Sequence, residues 1–318
     1  MLEQFSKASS VSLLVVGDLI LDEYIEGQIH RMSAEAPIPV VDQTDTKHVL
    51  GGSANVAANI TSLGGNAHLI GVIGDDLSGQ ILVDLLQDIE LTTDSLIIDK
   101  SRPTTTKTRV TVSGQQKLRI DREETTNVEE NIEKRVLQKV EALILEVDGI
   151  VLQDYNKGML TPTLIADIMS LASTHNKPTF VDPKSKNFWA YKGATIFKPN
   201  KKEITEAQQS TDLTMEEMLK ITLRQLSCQA IICTLAEDGV AIMHEKNFHR
   251  EPADQIEVVD VSGAGDSTIA MISIAYLLGY SLDQLPILCN LAGKASCMQQ
   301  GVGTITLEQV RDSLTSIH

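Results

Sequence analysis

Short apolar, β-branched runs alternate with amphipathic helical patterns along most of this 318-residue chain, and that rhythm restricts the fold more than any other feature. Segments 11–16, 67–72, 149–152, 179–181, 195–197 and 230–233 read as strands buried on both faces. Between them, Val128, Ile132, Val136, Val140, Ile144 and Val147 share one helical face. Ile165, Ile168, Met169 and Ala172 form a shorter stripe. A βαβα order of this kind predicts an α/β fold, a doubly wound, mostly parallel sheet with helices on both faces. Ligands would then bind beyond the carboxyl ends of the strands.

Two polar, Thr-rich segments with alternating character, 23–50 and 102–122, break the rhythm. They predict half-exposed antiparallel strands standing off the main sheet, as a small β lid or a dimer-forming flap. No repeat, low-complexity stretch or linker divides the chain. The expectation is one domain over 1–318 with lid strands inserted within 23–50 and 102–122.

Composition narrows the partners. With 43 acidic against 27 basic residues, a net charge of −16, the chain is not expected to bind nucleic acid or an anionic membrane. An anionic substrate would need a few local cations working against that field. Cys228, Cys233, Cys289 and Cys297 lack CxxC spacing and a nearby His cluster, so they read as buried thiols of a reducing compartment. The polar lead 1–10 and the six-residue apolar run after it are too short for a signal peptide or a membrane span, as is 269–278. A cytoplasmic protein is expected.

The stretch that carries chemistry is Asp260-Val261-Ser262-Gly263-Ala264-Gly265-Asp266, followed at once by an apolar run that reads as a buried helix. Gly263, Ala264 and Gly265 are small enough for the backbone to turn and present N–H groups at the positive helix end, an anion site. Asp266 adds a carboxylate whose charge would repel a bound anion. Its placement makes sense if it takes a proton from a hydroxyl attacking a phosphate.

Weaker signals accompany it. Asp18, with Asp22 four residues on, follows the first strand and could hold vicinal sugar hydroxyls or simply close a turn. Gly51 and Gly52 let a ligand approach the backbone at a helix start, and Asn55 can read a hydroxyl. The pattern is not GxGxxG, which sets a nicotinamide site aside. Asn200 and Glu203 would share a face of a first helical turn; they could hold Mg²⁺-bound water or phosphate oxygens, and equally form a capping box. Thr234 to Gly239, including Ala236, ends a strand where a nucleotide could border it, or forms an ordinary hairpin. Lys157, Lys184 and Lys186 lie on loops after strands, a hint of an anionic substrate in so acidic a chain.

Taken in order, Gly17-Asp18, Gly51-Gly52 with Asn55, Asn200 with Glu203, and Asp260 through Asp266 resemble the ribokinase (PfkB) family of sugar kinases over almost the whole chain. The resemblance implies a ribokinase-like fold with a β lid, and transfer of the γ-phosphate of Mg·ATP to a sugar hydroxyl. It makes Asp266 the base and Gly263, Ala264 and Gly265 the anion hole. Asn200 and Glu203 would organise Mg²⁺ and phosphates. Thr234, Ala236 and Gly239 would border the nucleotide, and Asp18, Gly51, Gly52 and Asn55 would hold the sugar. A K⁺ requirement and a homodimer through the lid are also open.

Four further segments, 17–24, 31–41, 154–158 and 182–184, are similar to the heptose branch of that family. That branch phosphorylates the anomeric hydroxyl of D-glycero-β-D-manno-heptose 7-phosphate, on the way to ADP-heptose and lipopolysaccharide core. It implies a cationic cradle for the 7-phosphate, with Arg109, Arg119, Lys157, Lys184 and Lys186 as candidates. Other sugars or sugar phosphates (ribose, fructose 1-phosphate, tagatose 6-phosphate) are the alternative substrates, and a non-catalytic sugar-phosphate sensor the alternative class. Two departures stand out. Bifunctional members of the branch carry a nucleotidyltransferase domain with a His-x-Gly-His motif that this sequence lacks, so it reads as a one-function kinase or as part of a longer protein. Ala236 stands where many family members have glycine.

Overall fold

The computed structural model describes residues 2–209 and 212–315. β1 (Ser12–Gly17) runs straight into β2 (Leu19–Met32), which pairs antiparallel with β3 (Pro39–Gly52); α1 (Ser53–Ser62), β4 (Asn66–Ile73), α2 (Leu77–Asp88) and β5 (Leu96–Ile98) follow. β6 (Thr106–Val112) and β7 (Gln115–Arg122) form a hairpin that precedes α3 (Glu130–Leu143). Then come β8 (Gly149–Gln153), α4 (Pro162–Thr174), β9 (Thr179–Asp182), β10 (Ile196–Phe197), α5 (Lys201–Gln208), α6 (Met215–Leu226) and β11 (Ala230–Thr234). β12 (Val240–His244), β13 (Asn247–Glu251), α7 (Ala264–Leu277), α8 (Leu285–Cys297) and α9 (Leu307–Thr315) complete the chain.

The main sheet has nine strands in the order β13-β12-β11-β10-β9-β8-β1-β4-β5. All neighbours are parallel except β11–β12 and β12–β13. The doubly wound character is visible within β1: Leu13 and Val15 enter one core cluster with α1, α7 and α8, while Leu14 and Val16 enter the other with α3 and α4. Period-two alternation with both faces apolar is what a strand between two helix layers requires. Each such side chain, fully buried, contributes about 1.5–3 kcal/mol. α7 is buried all round from Asp266 to Ala275; past its polar first turn (Asp266, Ser267, Thr268) the sequence is apolar on every face except for Ser273, as a helix within the core requires.

All six strands expected from sequence are present within one or two residues at each end. The edge strands β5 and β13 were not anticipated, being short or largely exposed so that the apolar-run signal fades there; β12, fully buried between β13 and β11, was also not named as a strand. α3 spans only part of the predicted stripe, and Val128 and Val147 are buried just outside it.

The two off-rhythm segments form a separate four-stranded sheet, β3-β2-β6-β7. One expectation needs correction: β2 and β6 are parallel, because residues 53–105 return the chain through the body before β6 begins. One lid face carries Asp22, Tyr24, Lys107, Arg109, Arg119 and Asp121; the other carries Ile25, Val110, Leu118 and Ile120. The polar face meets the body where Tyr24 Oη accepts the Val302 N–H at 3.0 Å.

The sheet order reverses at β1, between β8 and β4. The crevice at the carboxyl ends of β1 and β8 is therefore a topological switch point, where open α/β sheets bind ligands.

Candidate active site

Asp266 lies in the first turn of α7 and is 2% exposed. Three donors reach it from the switch point. Tyr155 Oη donates to Oδ1 at 2.6 Å, Asn55 Nδ2 to Oδ2 at 2.8 Å, and Gln153 Nε2 to Oδ1 at 3.2 Å. Burial pushes its pKa up to about 7; Asp182 adds to the rise, while the Tyr155 and Asn55 hydrogen bonds and Lys198 oppose it. A carboxyl that titrates near neutrality can take up and release a proton in the working range.

The backbone around it bends as the small residues predicted. Gly263 caps α7 at φ +82°, a left-handed conformation that favours glycine. The Ala264 N–H turns back to the Val261 carbonyl at 3.3 Å, so of the three expected anion-hole groups it is already engaged. A Cβ placed on Gly265 would meet Asp182 Oδ2 at 3.6 Å and Lys198 Nζ at 3.9 Å, so these two charges border the helix end. Lys198 Nζ and Asp182 Oδ2 are 3.1 Å apart, and Lys198 is nearly inaccessible. Gln153 ties this pair to Asp266, because its Nε2 also donates to Asp182 Oδ2 at 3.1 Å. Gln153 Oε1 is buried with no protein partner, an acceptor that a ligand hydroxyl could satisfy.

Asp18 faces the same crevice but spends its carboxylate on backbone. Oδ2 accepts the N–H groups of Tyr155 (2.8 Å) and Lys157 (3.0 Å), and Oδ1 that of Met159 (3.3 Å). It anchors the 154–159 loop. Burial and the neighbouring Asp154 still push its pKa up to about 6. Gly52 has φ +59°, and a Cβ there would collide with the Asp18 carbonyl oxygen; one on Gly51 would collide with Asp22. Both glycines thus let β3 pass close to the Asp18–Asp22 segment. Asp22, expected after β1, is instead in β2 and ion-paired with Arg109, whose guanidinium stacks 5.2 Å from the Tyr24 ring centroid.

Asn200 and Glu203 form the capping box that was the alternative reading. Asn200 Oδ1 accepts the Glu203 N–H, and Glu203 Oε2 accepts the Asn200 N–H, each at 2.9 Å. The other Glu203 oxygen is bonded by Lys184, which also sits 5.5 Å from the Tyr155 ring centroid. Burial alone would lower the Lys184 pKa, but Asp182 and Glu203 outweigh it and the ammonium is held charged. With both Glu203 oxygens committed, these residues would meet a cation through water; among the described residues no cluster of three His, Cys, Asp or Glu side chains could hold a metal.

Thr234 is bridged to Asn200 at the strand end, beside the cap. Ala236 opens a short turn at φ +53°, and Gly239 closes it at φ +89°, forming the β11–β12 hairpin. The remaining cations disperse: Lys157 pairs with Glu123 (2.7 Å), which Lys107 also approaches (3.5 Å), and Lys186 donates to Asn127 Oδ1 (2.8 Å). Lys157 and Lys107 therefore converge on one carboxylate from body and lid, whereas Lys186 turns to the 125–127 loop. Sequence reasoning gave no role to Gln153, Tyr155, Asp182 or Lys198. Tyr155 and Asp182 lay within the segments 154–158 and 182–184 noted for their resemblance, while Gln153 and Lys198 were signalled only by position, at or just past the carboxyl ends of β8 and β10.

All four cysteines are free; Cys228, Cys233 and Cys289 are buried as expected, with burial pushing the pKa of Cys228 and Cys233 up to about 12 and that of Cys289 up to about 11, whereas Cys297 is only half-buried. No helix among the described residues is long and apolar enough to cross a membrane.

A sheet crevice here joins a helix N-terminus, a buried carboxyl and a separate four-stranded sheet, and residues 12–309 match the family model described as pfkB family carbohydrate kinase. The chain belongs to that family and is a carbohydrate kinase. Among curated relatives it is 37% identical over 311 residues to "Bifunctional protein HldE" of Aliarcobacter butzleri, covering 96% of this chain and 65% of the relative. It is 34% identical over 310 residues to the protein of the same name from Wolinella succinogenes, with 96% and 65% covered. The chain thus spans about 65% of the length of these relatives. Its fold is that of phosphofructokinase-2 from Escherichia coli in complex with substrates and products (TM-score 0.78, 18% identity, 96% of this chain and 98% of that one). It is likewise that of the ribokinase from Thermotoga maritima (TM-score 0.73, 19% identity, 96% and 100%).

Proposed function

We propose that this carbohydrate kinase transfers the γ-phosphoryl of ATP to the anomeric hydroxyl of D-glycero-β-D-manno-heptose 7-phosphate, giving the 1,7-bisphosphate for ADP-heptose supply. The observation that carries the chemistry is the buried Asp266 carboxylate at the N-terminus of α7, with its pKa raised to about 7. Asp266 accepts the sugar O–H proton as the O–P bond forms and the bond to ADP breaks. The Gly263–Gly265 turn and the α7 dipole favour the charge on the transferring group, with Lys198 alongside. Mg²⁺ carried by the nucleotide phosphates would supply charge neutralisation, met through water by Asn200 and Glu203. Gln153 Oε1, Asn55 and the glycine-lined edge at Gly51 and Gly52 would receive sugar hydroxyls. The whole chain would act as one kinase unit, with the lid excluding water.

The sugar assignment is supported by segments 31–41, 154–158 and 182–184, and by the convergence of Lys107 and Lys157 with Arg109 nearby on the lid. A 7-phosphate would replace Glu123 as the partner of these lysines. A second copy is the natural cover for the apolar lid face, where Leu118 and Ile120 are 55% and 52% exposed. Leu118→Asp should turn a dimer into a monomer in sedimentation; a monomeric parent removes the dimer reading.

ADP release with Mg²⁺ and K⁺ present, measured on heptose 7-phosphate beside fructose 6-phosphate, ribose and no sugar, tests the substrate. Turnover on the heptose alone is expected. Turnover only on another sugar would keep the kinase and discard the heptose.

A further inference from the structure

The Asp266 carboxylate is gripped on opposite oxygens, by Tyr155 Oη on Oδ1 at 2.6 Å and by Asn55 Nδ2 on Oδ2 at 2.8 Å. Tyr155 is itself fixed along its length. Its N–H donates to Asp18 Oδ2 at 2.8 Å, and Lys184 Nζ lies 5.5 Å from its ring centroid. Lys184 in turn is bonded to Glu203 of the Asn200–Glu203 cap. The phenol therefore stands between the carboxylate and the cap that opens α5. Burial, with Asp266 and Asp182 beside it, holds the phenol proton on well above the usual tyrosine range. Tyr155 is thus a donor and not a competing base.

We propose that Tyr155 is the positioning residue for Asp266: its hydroxyl sets the carboxylate plane so that one lone pair stays directed at the incoming sugar hydroxyl. This inference rests on the reading of Asp266 as the base. An ionised carboxylate has about four acceptor positions, and Tyr155, Asn55 and Gln153 occupy three. The charges that face Asp266 are Asp182 from β9, Lys198 from the turn before α5, and Lys184 from the loop after β9. All three stay in place when only the phenol oxygen is removed. A donor on a carboxylate favours its anionic form, so loss of this donor has a sign that mere loosening of the fold lacks.

Tyr155→Phe in the full chain should lower kcat by about 10- to 100-fold, the worth of a hydrogen bond to a charged group, with KM for ATP and sugar little changed. The acidic limb of its kcat/KM profile should move to higher pH by about one unit. Placing 3-fluorotyrosine at 155 keeps the shape and strengthens the donor, so the limb should move to lower pH; this result decides the matter even if Tyr155→Phe folds poorly. Asp266→Asn separates the two readings. A near-parental kcat there removes the base and this inference with it. A large loss there, with the limb unmoved in the fluorotyrosine protein and in folded Tyr155→Phe, overturns the role of Tyr155 alone.

Discussion

Lys198 and Asp182 form a buried ion pair, 3.1 Å from Nζ to Oδ2, at the N-terminus of α7. Burial alone would lower the Lys198 pKa, but Asp182 outweighs it, so the ammonium stays charged in the interior. Removing one member of such a pair strands the other, at a cost of about 3–5 kcal/mol. Lys198→Met should therefore lower Tm markedly in a thermal melt and abolish turnover. Adding Asp182→Asn should recover much of the stability and none of the activity. Full activity in the double variant would remove the pair from the phosphoryl site.

Ala236 is held at φ +53°, where an L-residue is strained by about 1–2 kcal/mol and glycine is not. Ala236→Gly should leave Tm unchanged or raise it slightly, the relief of strain being partly offset by the entropy glycine loses on folding. A clear fall in Tm would show that the turn is held by contacts of the Ala236 methyl rather than in spite of it. A glycine at this position would thus have a backbone cause, whatever the nucleotide does there.

That residue also shows what sequence could reveal. A missing glycine was legible; the strain it leaves was not, because φ is set by the β11–β12 hairpin. The six buried strands were readable from unbroken apolar runs, and Asp266 from the small-residue turn before an apolar helix. Asn200 and Glu203 were ambiguous for a physical reason: a capping box and a phosphate-facing pair need the same three-residue spacing. Gln153 and Lys198 were hidden because nothing in their local pattern marks them, and the resemblance of segments 154–158 and 182–184 did not reveal what Tyr155 and Asp182 touch. Only the sheet order, which puts β8 and β9 beside β1, brings them to Asp266. The parallel pairing of β2 with β6 was likewise a matter of topology.

Stability should depend on pH with an unusual sign for carboxylates. Asp266 titrates at about 7 and Asp18 at about 6, both above the ordinary 3.8 that the unfolded chain restores. Between about 4 and 7 the folded state binds more protons than the unfolded one, so these groups contribute stability at low pH that is lost as pH rises through their folded values. Asp266→Asn cancels one of the two losses. Its Tm should exceed the parent's at pH 8, and the gap should close towards pH 4. A variant less stable than the parent at pH 8 would mean that the Asp266 charge is welcome where it sits.

The most direct test of the account is single-turnover phosphoryl transfer by Asp266→Asn, paired with its equilibrium binding of ATP. With the base removed and the α7 N-terminus intact, ATP should bind as in the parent while the transfer rate falls by about 10²–10⁴-fold. The parent's rate should rise with pH through about 7, as a buried carboxyl loses its proton. A near-parental rate in the variant, with ATP still bound, would contradict the assignment of Asp266 as the group that takes the sugar's proton.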